Sequence, residues 1–185
     1  MRIFHRTYPW MVAILGLLSS GYLIAGQGFS LTPSLLLFIV LAALAERMVI
    51  RLPQSSLTLS FVLVLLTLLI GGPSQVAIVI VIGSLIGYGL LRRKSWPRTL
   101  FYVGHYGLAS AAAGGMFILG ERHLPHWILA SIHLPAVAGY ILTYALLSHT
   151  LIWFRNRAII APYEARFPKT DLLVVFLLTP PPLLL

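Results

Sequence analysis

The stretch SLTLSFVLVLLTLLIGGPSQVAIVIVIGSLIGYGLLRRKSWPR, residues 56–98, carries the reading on which the fold turns. Two apolar runs, 56–70 and 75–91, flank Gly71-Gly72-Pro73-Ser74 and lead into a basic cluster. Glycine terminates helices and proline starts them, since the first helical turn needs no N–H from its opening residue. The string therefore predicts two apolar helices joined by a tight turn. A bilayer crossing takes about 20 apolar residues at 1.5 Å rise each, so both helices read as membrane segments.

Composition extends this reading to the whole chain. Of 185 residues, 59% are hydrophobic and 9% charged, against about 25% charged in ordinary soluble domains. So few polar side chains cannot cover a water-facing surface, whereas lipid requires none. Cysteine is absent, which excludes disulfides, thiolate metal sites and Cys nucleophiles.

Outward from 56–91, further apolar stretches predict spans at 8–27, 35–49, 100–119 and 128–154. The last is long and contains Pro135, so it reads as a kinked helix or as an interfacial piece followed by a span. Arg2, His5 and Arg6 precede the first stretch as in a signal peptide, but its length and the lack of a small-residue cleavage site make it a retained helix. A partial seventh segment, 172–185, runs into Pro180-Pro181-Pro182 and is too short to cross. Either the chain continues past Leu185 or this tail is re-entrant or interfacial, continuation being the favoured expectation. The expected fold is thus all-α: one polytopic transmembrane helical bundle over residues 1–185, with six full spans plus a partial seventh.

The net charge of +9 would point to nucleic acid in a soluble protein. Here the cations sit in short clusters between apolar runs, so no nucleic acid partner is expected. With six spans, one side receives Arg2, Arg6, Arg47, Arg51, Arg92, Arg93, Lys94, Arg98, Arg155, Arg157, Arg166 and Lys169, and the other only Arg122. Lys and Arg accumulate on the cytoplasmic side of membrane proteins. This places the N-terminus in the cytoplasm and the chain in a bacterial inner (cytoplasmic) membrane as a multi-pass protein.

Ionisable groups inside spans are functional candidates, because burying them costs several kcal/mol unless they are paired or hydrated. Glu46 is the one acid near a span; beside Arg47 it reads first as a locally paired interfacial residue, and second as a ligand or proton contact. The lack of other intramembrane acids argues against an ion-coupled pump. His105, His133 and His149 lie within spans and suit interhelical hydrogen bonding, with ligand recognition or haem and pigment ligation as alternatives. His123 and His126 flank a Pro-containing turn that reads as solvated rather than as a zinc half-site. Gly107, Ala111 and Gly115 recur at four-residue spacing, as do Gly83 and Gly87, so these faces are expected to pack against each other. Tyr102, His105 and Tyr106 share a side of one helix, where a groove would meet a ligand. No Walker loop, dinucleotide fingerprint, nucleophile elbow or metalloprotease motif occurs, no cofactor is implied by name, and the chain reads as non-catalytic.

Residues 41–117 also carry four features in order. They are Leu44-Ala45-Glu46 at a helix end, Pro53 followed by Ser56, Ser60 and Phe61, the Gly72-Pro73 turn, and an Arg-rich loop leading to Leu100-Phe101 and a small-residue helix. This stretch resembles the membrane-associated-sensor regions that open bacterial signalling proteins, ahead of GGDEF, HD-GYP or histidine-kinase output domains. Where that pattern has Asn after Leu-Phe and Gln before the Tyr, this chain has Tyr102 and His105. The resemblance implies a sensory or signal-transducing membrane module separate from its output domain. Two other readings remain open at this point: a small pigment- or haem-associated subunit of a larger membrane complex, and a small-molecule transporter component. In each the surroundings are the lipid bilayer together with a protein partner or further copies of the chain.

Overall fold

The computed structural model describes residues 2–51, 56–58, 60–123 and 134–159. They form five helices: α1 (Arg2–Gln27), α2 (Pro33–Arg47), α3 (Ser60–Ser84), α4 (Trp96–His123) and α5 (Leu134–Ile159). A π-helical segment, Leu85–Leu91, continues α3, and a short antiparallel hairpin of β1 (Val49–Arg51) and β2 (Ser56–Thr58) links α2 to α3. Thr32 caps α2, its hydroxyl accepting from the Leu35 N–H at 3.3 Å, and Pro33 occupies the first turn.

α3 is not a rod. Gly72 leaves helical geometry at φ 75° and ψ 178°, a region open almost solely to glycine. Ser60 and Tyr88 would stand ~42 Å apart on a continuous helix. Yet the Ser60 hydroxyl donates to Glu46 Oε1 at 2.7 Å, and a Cβ on Gly87 would lie 2.7 Å from the Glu46 Cβ. The chain therefore folds back at Gly72, and arms 60–71 and 73–91 run side by side.

Among the described residues, three stretches are long and apolar enough, by length and composition, to cross a membrane: Thr7–Gln27, Ser60–Leu91 and Pro135–Ile152. The expected six full spans plus a partial seventh are not what the structure holds. The 15 residues of α2 make ~22 Å of helix and arm 60–71 makes ~18 Å, both short of the ~30 Å hydrocarbon core. β-branched Val49 and Ile50 ahead of Pro53 favour strand over helix, and the hairpin takes residues that the sequence reading assigned to the ends of spans 35–49 and 56–70. The tail 172–185 lies outside the described residues.

α4 is the hub, in contact with α1, α3, α5 and the π segment. It runs parallel to α1: Tyr8 meets Phe101, the Ser20 hydroxyl donates to the Gly107 carbonyl at 3.2 Å, and Leu23 packs on Gly114. Gly16 and Gly104 bring the two backbones together so closely that a Cβ on either would collide with the other helix. α5 is antiparallel, with Ser148 at His105, Tyr140 at Ser110 and Ala136 at Gly120. α2 is parallel to arm 73–91, with Ala42 on Gly83 and Glu46 on Gly87. These directions bring the N-terminus of α1, the C-termini of α2 and α5 and the basic loop 92–98 to one end of the bundle. Arg122, on the last turn of α4, stands at the other end.

Gly72→Ala is expected to destabilise the protein by about 1–3 kcal/mol, because Ala is strained in this backbone region. Gly115→Ala, where an added Cβ meets no atom within 4 Å, is expected to be neutral or stabilising by up to about 1 kcal/mol. Thermal unfolding of both variants in detergent measures the contrast; equal effects would refute the assigned backbone geometry.

Candidate functional site

Four segments converge just inside the basic end. α2 supplies Glu46, α3 supplies Ser60, the π segment supplies Tyr88 with Arg92 directly after it, and α4 supplies Tyr102 and Tyr106. A pair of glycines and a π turn make the convergence possible. Gly83 and Gly87, one helical turn apart, let α2 approach with Ala42 and Glu46. The wider π turn, closed by a 2.9 Å bond from the Arg92 N–H to the Gly87 carbonyl, alters the register after Ser84 and turns Tyr88 toward α4.

Glu46 is 3% exposed, and its hydrogen-bond partner is Ser60, whereas Arg47 is exposed. Its Oε1 accepts from Ser60, while its buried Oε2 has no hydrogen-bond partner among the described residues. The Arg92 guanidinium donates to the Glu46 backbone carbonyl at 3.3 Å and lies 5.2 Å from the Tyr88 ring centre, a cation–π distance. α2 is not among the stretches long and apolar enough to cross a membrane, and burial drives the Glu46 carboxyl above the ordinary carboxylate range. The hydroxyls of Tyr88 and Ser60 and the charge of Arg92 act in the opposite direction.

An aromatic layer backs the acid. Tyr88 stacks on Tyr102 with ring centres 4.4 Å apart and planes at 8°, and the hydroxyls of Tyr88 and Tyr106 are 3.3 Å apart. Tyr102 and Tyr106 are one turn apart on α4, as are Phe101 and His105. The His105 ring stacks on Phe101 at 5.8 Å and lies 4.7 Å from the Tyr106 ring. Fully buried, it shares a 2.9 Å hydrogen bond between Nε2 and the Ser148 hydroxyl of α5. This is an interhelical bond of the kind expected of such a histidine. His149, half-buried one residue further along α5, joins none of these bonds. His133 and His126 lie outside the described residues.

The structure thus joins Glu46, Tyr102, Tyr106 and His105 from the sequence candidates and adds Ser60, Tyr88, Arg92 and Ser148. Of the added residues, Ser60 belongs to the resemblance pattern. Arg92 belongs to the basic loop of that same pattern, Tyr88 carries the weak signal of a tyrosine between two glycines in an apolar run, and Ser148 carries none of its own. Gly83 and Gly87 meet α2, Gly107 meets Ser20 and Gly16 of α1 and Val81 of arm 73–91, and Ala111 joins Leu23 and Ala77, while Gly115 has no atom within 4 Å of its Cβ position. The α4 face thus packs on arm 73–91 through Val81 and Ala77, while the arm's own glycines turn to α2. The α1 face opposite Gly107 comes from Gly16 and Ser20, a pairing hidden in the long separation along the chain.

Comparison with protein-family models, curated proteins and solved structures finds no match to this chain. The likeness to membrane-associated-sensor regions therefore rests on the quoted residues alone.

Ser60→Ala removes the hydroxyl bonded to Oε1 of a buried acid and is expected to cost about 1–3 kcal/mol. In a Glu46→Leu background, where the carboxyl acceptor is gone, the same substitution is expected to cost less than about 0.5 kcal/mol. A double-mutant cycle of thermal stabilities reads the coupling; equal costs in both backgrounds would dissolve the pair.

Proposed function

We propose that this chain is a non-catalytic, multi-pass module of a bacterial cytoplasmic membrane that senses or transmits a signal, working with a cytoplasmic output domain or protein. The observation that carries the reading is the Glu46 cluster. A buried acid, a hydroxyl and a tyrosine stack tie together α2, α3, the π segment and α4, and Arg92 links them to the basic loop 92–98. A change at the acid has a short covalent route to the end of the bundle where the N-terminus and the C-terminus of α5 also lie.

The orientation follows from charge. Arg92, Arg93, Lys94 and Arg98 crowd one end and Arg122 marks the other, and cationic loops stay cytoplasmic. Trp96, exposed at the start of α4, suits the headgroup level beside them. In this orientation the basic end is the one that a soluble output partner meets. The resemblance of residues 41–117 to sensor regions points to the same arrangement. His105 is occupied by Ser148 and stacked on Phe101, a setting suited to helix pairing rather than to an axial position on haem.

Photo-crosslinking from Lys94 and Trp96 in native membranes tests the reading. Capture of a cytoplasmic nucleotide-cyclising, phosphodiesterase or kinase protein is the expected result. Crosslinks confined to other membrane subunits, or a pigment or haem absorption band in the purified protein, would contradict it.

A further inference from the structure

The chain has four acidic residues. Glu121 is exposed on the last turn of α4, Glu164 and Asp171 lie outside the described residues, and Glu46 is enclosed. Its surroundings are unusual for an ionised carboxylate. In a medium of low dielectric a carboxylate near a guanidinium forms an ion pair, because an uncompensated buried charge costs several kcal/mol. Here the guanidinium of Arg92 is close, yet it bonds the Glu46 backbone carbonyl and covers the Tyr88 ring. Oε2 is left buried without a hydrogen-bond partner among the described residues. A neutral carboxyl fits this arrangement: one oxygen serves Ser60, and the other carries no charge that calls for Arg92.

We propose that Glu46 is a proton-binding site, and that loss of its proton moves Arg92 off the Glu46 carbonyl and the Tyr88 ring onto the carboxylate, drawing the basic loop 92–98 toward the bundle. The chemistry is a simple exchange. The carboxyl O–H bond breaks, the proton leaves to water, and the negative charge that remains is compensated by a guanidinium already within a side-chain rotation. Among the described residues, the charged and titratable groups facing the acid are Tyr88 of the π segment and Arg92 directly after it, with Tyr106 and Tyr102 of α4 and Tyr144 of α5 behind Tyr88. α3 offers the non-titrating Ser60, and Arg47 on α2 is exposed. Among the described residues, Arg92 is the cation beside the acid, and lying just past the π segment it can change partner without unfolding a helix. Its successor Arg93 has φ 46°, a left-handed turn that gives the loop a pivot at that point.

The inference deepens the proposed function by naming the input of the same site. Its test needs no partner, so failure to capture an output protein and failure of Glu46 to titrate are separate results. The purified full chain in lipid nanodiscs is titrated with pH by infrared difference spectroscopy. A spin label at Ser95→Cys, the sole cysteine in this chain, reports loop mobility in parallel. The expected result is a protonated-carboxyl carbonyl band that disappears as pH rises and is absent from Glu46→Gln. The loop label is expected to slow over the same pH range, and in Glu46→Gln to stay in its low-pH state. Ser60→Ala, which removes a hydroxyl favouring the ionised form, is expected to move both midpoints to higher pH and serves as well if Glu46→Gln fails to fold. A carboxyl band that survives in Glu46→Gln, a loop that responds identically in wild type and Glu46→Gln, or unchanged midpoints in Ser60→Ala would overturn the proposal.

Discussion

The reversal of the chain at Gly72 is the constraint on which the rest of the structure hangs. One backbone position in a region that side chains disfavour converts an apolar run of 32 residues into two adjacent arms. The first arm returns Ser60 to the level of Glu46, and the second delivers Tyr88 and Arg92 to that same level. Without the reversal, hydroxyl, acid and tyrosine would belong to opposite ends of the protein. Pro73 fixes the start of the second arm and packs on Gly114 of α4, so the turn is tied to the hub helix as well as permitted by glycine.

Packing then follows from contact rather than from the expulsion of water. Between helices in lipid there is little hydrophobic drive, since acyl chains are as apolar as leucine, and association depends on close fit and on interhelical hydrogen bonds. The bundle uses both. Gly16 and Gly104 bring α1 and α4 into backbone contact, and Gly83 and Gly87 admit α2. Ser20 to Gly107, His105 to Ser148 and Ser60 to Glu46 supply the bonds. The least uniformly apolar helix, α4, is accordingly the central one: its Gly, Ala, Ser, His and Tyr residues meet neighbours, while α1 and α2 expose Leu, Ile and Trp.

Much of this was legible from residue type. Gly71-Gly72-Pro73-Ser74 announces a break because both residue classes act on the backbone directly, and the structure breaks at Gly72. The clustering of cations is a property of loops, and the helix directions gather those loops at one end. Span count was not legible, because apolar character persists where length falls short. α2 stops at Arg47 and yields Val49–Arg51 to a hairpin whose partner strand lies beyond Pro53, a pairing that depends on a non-local contact. The burial of Glu46 was hidden for a similar reason. Beside Arg47 in sequence it reads as a surface pair, and only the return of Ser60 and Gly87 from farther along the chain encloses it. The π segment has no clear sequence mark either; it changes the direction of Tyr88 without any unusual residue type.

The most direct test of this account is the distance between spin labels placed at Val62 and Leu90, both exposed, in a chain that has no native cysteine to interfere. A fold-back at Gly72 predicts a separation well under half of the ~42 Å that 28 residues of continuous helix would give. A distribution centred near the full helical length would show that the arms do not pair, and the Glu46 cluster would fall with them.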